Sequence, residues 1–121
     1  MLIPKRVFDP RIKVFSDDEN VINVFLDRDN YAKMAFYHEE TKLDLNDVTE
    51  IELWLSGVQY LNSFYKIFDY SSGNGNVFIN FDYSMKLKVL KGRHKAKIIL
   101  YTKNHLNGIV WANENIIFNI Q

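Results

Sequence analysis

The chain has 121 residues, of which 47% are hydrophobic, 25% charged and 15% aromatic, and its 15 Lys plus Arg are balanced by 15 Asp plus Glu. That composition is typical of one globular domain with its own core; it excludes global disorder and the strong net charge that gathers nucleic acid or anionic lipid. The sequence has no cysteine, which removes disulfides, thiolate metal sites and cysteine nucleophiles.

Met1-Leu2-Ile3-Pro4-Lys5-Arg6 lacks the apolar core of a secretory signal, and no apolar run approaches the ~20 residues of a membrane span. The expectation is a protein made in the cytosol that leaves it only within a larger assembly, with neither membrane nor nucleic acid as partner. Pro4 and Pro10 each lack a backbone donor, so residues 1–10 cannot form a central strand. Leu2, Ile3, Val7 and Phe8 are nonetheless too apolar for a solvated tail. An extended arm, docked on a neighbouring subunit or along a sheet edge, reconciles the two; residues 11–121 are read as the single domain.

Within that domain, short runs of alternating apolar and polar residues dominate, and no long helical period is seen. Arg11 to Phe15 and Val21 to Leu26 read as strands around an acidic turn. After the turn at Asp27 to Asn30, Tyr31 to Tyr37 reads as a strand in preference to a short helix. Glu50 to Leu55 places Ile51, Leu53 and Leu55 on one face and Glu50, Glu52 and Trp54 on the other. Gly57 interrupts the pattern, and Phe64 to Tyr70 resumes it as a strand. Ser71 to Asn76 carries hairpin-turn chemistry, and Val77 to Phe81 pairs back across it.

Further strands are expected at Met85 to Leu90, at His94 to Tyr101, at Ile109 to Trp111 beyond a loop at Asn104 to Gly108, and at Ile116 to Ile120. The spacing predicts an all-β, immunoglobulin-like β-sandwich of about seven to nine antiparallel strands. Its core is predicted to hold Ile51, Leu53, Leu55, Val77, Ile79, Phe81, Ala96, Ile98, Leu100, Ile116, Phe118 and Ile120.

Candidate chemistry is sparse. His38, Glu39, Glu40, His94 and His105 lack metal-ligand spacing, and the acidic stretches Asp17 to Glu19 and Asp27 to Asn30 lack the glycine and distal Glu of a calcium loop, so solvated turns are the better reading. Gly73-Asn74-Gly75 is not followed by the Lys-Ser/Thr of a phosphate loop. No enzyme, metal or cofactor is predicted. Lys86, Lys88, Lys91, Arg93, Lys95, Lys97 and Lys103 form a cationic stretch, read as the solvated face of a half-buried sheet with an acidic partner surface as its functional rival.

The phrases Thr49-Glu50-Ile51-Glu52-Leu53, Leu90-Lys91-Gly92-Arg93-His94-Lys95-Ala96-Lys97-Ile98-Ile99-Leu100-Tyr101 and Asn107-Gly108-Ile109-Val110-Trp111 follow one another between residues 47 and 121. In that order the chain resembles small structural proteins of tailed bacteriophages. His94 stands where those proteins usually carry an aromatic, the place at which immunoglobulin-like folds often tie a Tyr back to the chain; a histidine ring N–H is able to donate the same bond.

The resemblance implies a virion structural protein for head decoration, head-to-tail connection or the tail, present in repeated copies or as a homo-oligomer and bound to other phage structural proteins. The aromatic load adds Trp54, Tyr65 and Trp111 to Leu2, Ile3, Val7 and Phe8 as expected interface residues. The alternatives are a carbohydrate-binding β-sandwich module and a small phage inhibitor of a host protein.

Overall fold

The computed structural model describes residues 10–15, 18, 20–70, 75–81 and 89–121. Alternating side chains give each strand one apolar face, and two sheets bury those faces against each other. The first sheet is built from β1 (Pro10–Val14), β3 (Lys33–His38), β8 (Asn76–Ile79) and β7 (Phe68–Asp69) in that order, with β4 (Thr41–Lys42) paired to β3. The second runs β2 (Val21–Val24), β10 (His105–Ile120), β9 (Gly92–Thr102), β5 (Val48–Leu55) and β6 (Val58–Leu61).

In immunoglobulin lettering the first order is A-B-E-D and the second is G-F-C-C′ with one added edge strand. The chain is an all-β sandwich of immunoglobulin-like topology. Of the expected antiparallel pairings, β2 is the exception, because it lies parallel to β10 through Ile117↔Val21 to Ile120↔Val24. Having formed the edge β1, the chain crosses to the other sheet and pairs there in the direction it is already travelling.

All twelve residues predicted for the core are buried and share one cluster with Val24, Met34, Phe36 and Trp111. The segment Tyr31 to Tyr37 contributes the strand β3, with Met34, Ala35 and Phe36 all buried. Pro10 pairs with His38 as the first residue of edge strand β1, a position that tolerates a missing donor, so it belongs to the sandwich and not to the arm. Residues 1–9, the rest of the expected arm, lie outside the described residues.

Other expectations need correction. Phe64 to Tyr70 is not one strand: Asn62–Tyr65 forms the short helix α1, ended by Lys66 at φ 55°, and only Phe68–Asp69 pairs as strand. Buried Asn62 is the cause, since its side-chain amide donates to Phe68 O at 3.0 Å and its Oδ1 accepts from Phe68 N at 2.6 Å, occupying backbone groups a ladder would use. The edge strand β6 had no forecast; Ser56 and Gly57, at φ 48° and 82°, make the two-residue turn between Leu55 and Val58.

Residues 85–88 of the strand expected at Met85 to Leu90 are outside the described residues, as are Ser71 to Asn74 of the expected hairpin loop, although β7 and β8 do pair antiparallel on either side of that loop. At the carboxyl end, the loop and two strands expected between Asn104 and Ile120 are one strand, β10. It bends through register shifts near Gly108 and Glu114, whose φ values are 80° and 68°.

Candidate functional site

The outward face of the second sheet collects most of the features that bear on function. Cross-strand pairing sets Trp54 against Lys97, Glu52 against Ile99 and Glu50 against Tyr101, while Val110 lies opposite Ile99 on the far side of β9. The alternation that sends Ile51, Leu53, Ala96, Ile98 and Leu100 inward therefore sends these side chains out.

At the centre of the face is Glu52. It is only 6% exposed, because Tyr101 and Trp54 close over it. The Tyr101 hydroxyl donates to Oε2 at 2.6 Å and Trp54 Nε1 donates to Oε1. Burial favours the protonated acid, but the bonds from Tyr101, Trp54 and Gln59, with the charge of Lys97, outweigh it and hold the Glu52 carboxyl below its ordinary value. The same bond, then burial and the charges of Glu52 and Glu50, raise the Tyr101 phenol above its ordinary value.

One carboxylate thus fixes two rings, and each ring borders a separate hollow. Trp54 lines an open groove of about 600 Å³ together with Ser56, Gly57, Arg93, Lys95, Lys97 and Glu114. Tyr101 lines a smaller hollow of about 230 Å³ with Thr49, Glu50, Glu52, Leu61, Thr102 and Leu106. Of its lining residues, Leu61 and Leu106 are exposed apolar side chains.

The rim of the larger groove is anchored by His94. A carbonyl only accepts, so His94 Nε2, 2.7 Å from Leu90 O, carries the proton, and Nδ1 accepts from Ser56 Oγ at 2.7 Å. The ring ties the start of β9 back to the preceding corner, as a Tyr does at that position in immunoglobulin-like domains, and also clamps the Ser56-Gly57 turn. Ser56 and His94 thereby act as structural partners.

Of the expected interface residues, Trp54 is part of this face. Tyr65, half-buried, packs edge-on against Tyr60 and Phe64 beside β6. Trp111 is corrected: it is 3% exposed, packs edge-on against Phe36, and its Nε1 donates to Arg11 O at 3.0 Å, tying β10 to the opposite sheet. Leu2, Ile3, Val7 and Phe8 lie outside the described residues. Glu52, Ser56, Tyr101 and Glu114 were not foreseen as site residues; the period-2 placement of Glu52 and Tyr101 on outward faces was the available signal.

Among the described residues, no group of three or more His, Asp or Glu is placed to hold a metal ion, and no helix is long and apolar enough to cross a membrane. The acidic turn at Asp27 is organised by Asn30, whose Oδ1 accepts from Phe25 N at 2.7 Å and whose amide donates to the carbonyls of Phe25 and Arg28.

No protein-family model and no curated protein matches the chain. Among solved structures it is similar to the endo-β-1,4-mannanase from Thermotoga petrophila, at 7% identity and TM-score 0.48 over 97% of this chain and 21% of that one. It is also similar to the fibronectin(III)-like modules of Clostridium thermocellum CbhA, at 9% identity and TM-score 0.38 over 97% of this chain and 49% of that one. The chain spans less than half the length of either.

Proposed function

We propose that this chain is a structural protein of a bacteriophage particle, a β-sandwich module that holds neighbouring proteins through its surface. The observation that carries the binding part of this reading is the outward face of the second sheet. Trp54, Ile99, Tyr101 and Val110 stand beside Arg93 and Lys95 on a framework braced by Glu52, and aromatic residues with Arg are the types enriched at protein contacts. The virion part rests on the ordered phrases between residues 47 and 121.

Mass spectrometry of purified particles of the phage that encodes the chain tests the proposal. The expected result is the chain present in stoichiometric, repeated copies. Complete particles without it would move the protein out of the virion.

A second reading, a carbohydrate-binding module, is favoured by one feature: the half-buried indole of Trp54 in an open groove, where a sugar ring has a flat surface to stack on. A glycan array probed with a multivalent display of the domain separates the two. Binding there that is lost on Trp54→Ala would support this second reading.

A further inference from the structure

We infer that the groove beside Trp54 takes an extended acidic segment of a partner protein, a conclusion that rests on the binding-module reading above and names the chemistry of its partner. Arg93, Lys95 and Lys97 project from alternate positions of β9 into one groove. Strand geometry sets same-face neighbours about 7 Å apart. A partner chain in extended conformation repeats its own same-face side chains at that interval, so carboxylates at alternate positions meet the cations one for one.

The charges are available for such a contact. Arg93 and Lys95 are exposed and Lys97 is half-buried. Among the described residues none of the three forms an ion pair with a carboxylate; Lys97 acts on Glu52 only through its field. Glu114 faces them from the bulge of β10 and Glu52 lies within the field of Lys97, so three cations stand against two carboxylates and the groove keeps a positive excess.

The surroundings favour a peptide over a polyphosphate. The chain as a whole has no net charge and creates no long-range field for nucleic acid, while Glu114 and Glu52 set negative charge beside and beneath the groove. A strand-like segment answers that mixture, because its acidic side chains engage β9 while its backbone passes over the Trp54 ring.

The test uses the intact chain and a synthetic peptide of about ten residues alternating Glu with Ser, which extended spans roughly 33 Å. Trp54 emission reports binding, with Trp54→Phe as the blank, since Trp111 is buried. The expected result is saturable binding that weakens with salt, is absent for the matching Gln-Ser peptide, and falls by about tenfold or more in the triple variant R93Q/K95Q/K97Q. Glu114→Gln is expected to tighten it. An unchanged thermal transition in the triple variant is the control for folding, and single substitutions replace it if that transition moves.

Equal binding of the Glu-Ser and Gln-Ser peptides, or unchanged binding by the cation variants, would overturn the inference. So would tighter binding of a sulfated oligosaccharide or of oligothymidine, which would assign the groove to a glycan or to nucleic acid. Particles that incorporate the triple variant as well as the wild type would count against the groove as a partner contact and leave the virion reading standing. Absence of the wild-type chain from particles would remove the virion reading, with the peptide measurement still deciding the groove.

Discussion

Tyr101 Oη lies 2.6 Å from Glu52 Oε2, although 49 residues separate the two in sequence. The bond joins the outward faces of β9 and β5 and makes this surface pH-sensitive at both ends. Glu52 has a lowered carboxyl pKa in the folded chain, so its stabilisation is full above the ordinary value of 4.5 and is lost as pH falls through the lowered one. Tyr101 has a raised phenol pKa, so its stabilisation is full below 10.0 and is lost as pH rises through the raised value. Urea unfolding between about pH 3 and about pH 7 should show Glu52→Gln less stable at neutral pH, with a shallower acid loss than the wild type. Parallel pH curves for the two proteins would contradict this assignment.

Tyr101→Phe removes the phenolic donor and keeps the ring. At neutral pH it should cost about 1 to 2 kcal/mol, as expected for a bond to a charged acceptor that is partly shielded from water. Denaturant midpoints at equal m-value would measure the loss.

Gly108 explains why the phrase Asn107-Gly108-Ile109-Val110-Trp111 holds a glycine. Its φ is 80°, and a Cβ there would sit 2.6 Å from Ile99 Cγ2 and 2.9 Å from the Tyr101 ring. A Cβ at Gly57, where φ is 82°, would meet none of the described residues within 4 Å beyond its chain neighbours. Gly57→Ala should therefore cost only backbone strain, about 1 kcal/mol, and Gly108→Ala clearly more, about 2 to 3 kcal/mol. Equal losses in parallel melts would show that β10 does not pack on Ile99 and Tyr101 as described.

Thr102 is buried, and among the described residues its Oγ1 has no hydrogen-bond partner. Val has the same shape without the hydroxyl. Thr102→Val should raise stability by about 1 kcal/mol, since the desolvation cost of an unpaired hydroxyl disappears. A loss of stability would reveal a partner for that oxygen.

Leu53 and Ile98 face each other across β5 and β9 and are fully buried. Truncating either to Ala should cost about 2 to 5 kcal/mol, from lost burial plus the cavity left behind. Changes below about half a kcal/mol at both positions would mean that the faces of these strands are reversed.

The inward set was legible because alternation is a local property. Ile51, Leu53 and Leu55, or Ala96, Ile98 and Leu100, need only the pleat of their own strand to share a face, and a strand with one apolar face has one way to bury it. Sandwich class followed from many such strands with turns between them. The corner at His94 came from the resemblance, which sets an aromatic two residues after Gly92, together with the donor capacity of imidazole.

Tertiary structure decided what depends on partners distant in sequence. Asn62 became a helix start because its amide found the Phe68 backbone, and β2 ran parallel to β10 because the chain changed sheets after β1. Trp111, an aromatic suited to either core or interface, went inside because Arg11 O and Phe36 were there to receive it. Glu52 reads in sequence as an ordinary solvated acid; it is buried and ionised because Tyr101 and Trp54 both donate to it. Alternation sets which way a side chain points, but what covers it is set by strand pairing, and that pairing is a property of the whole fold.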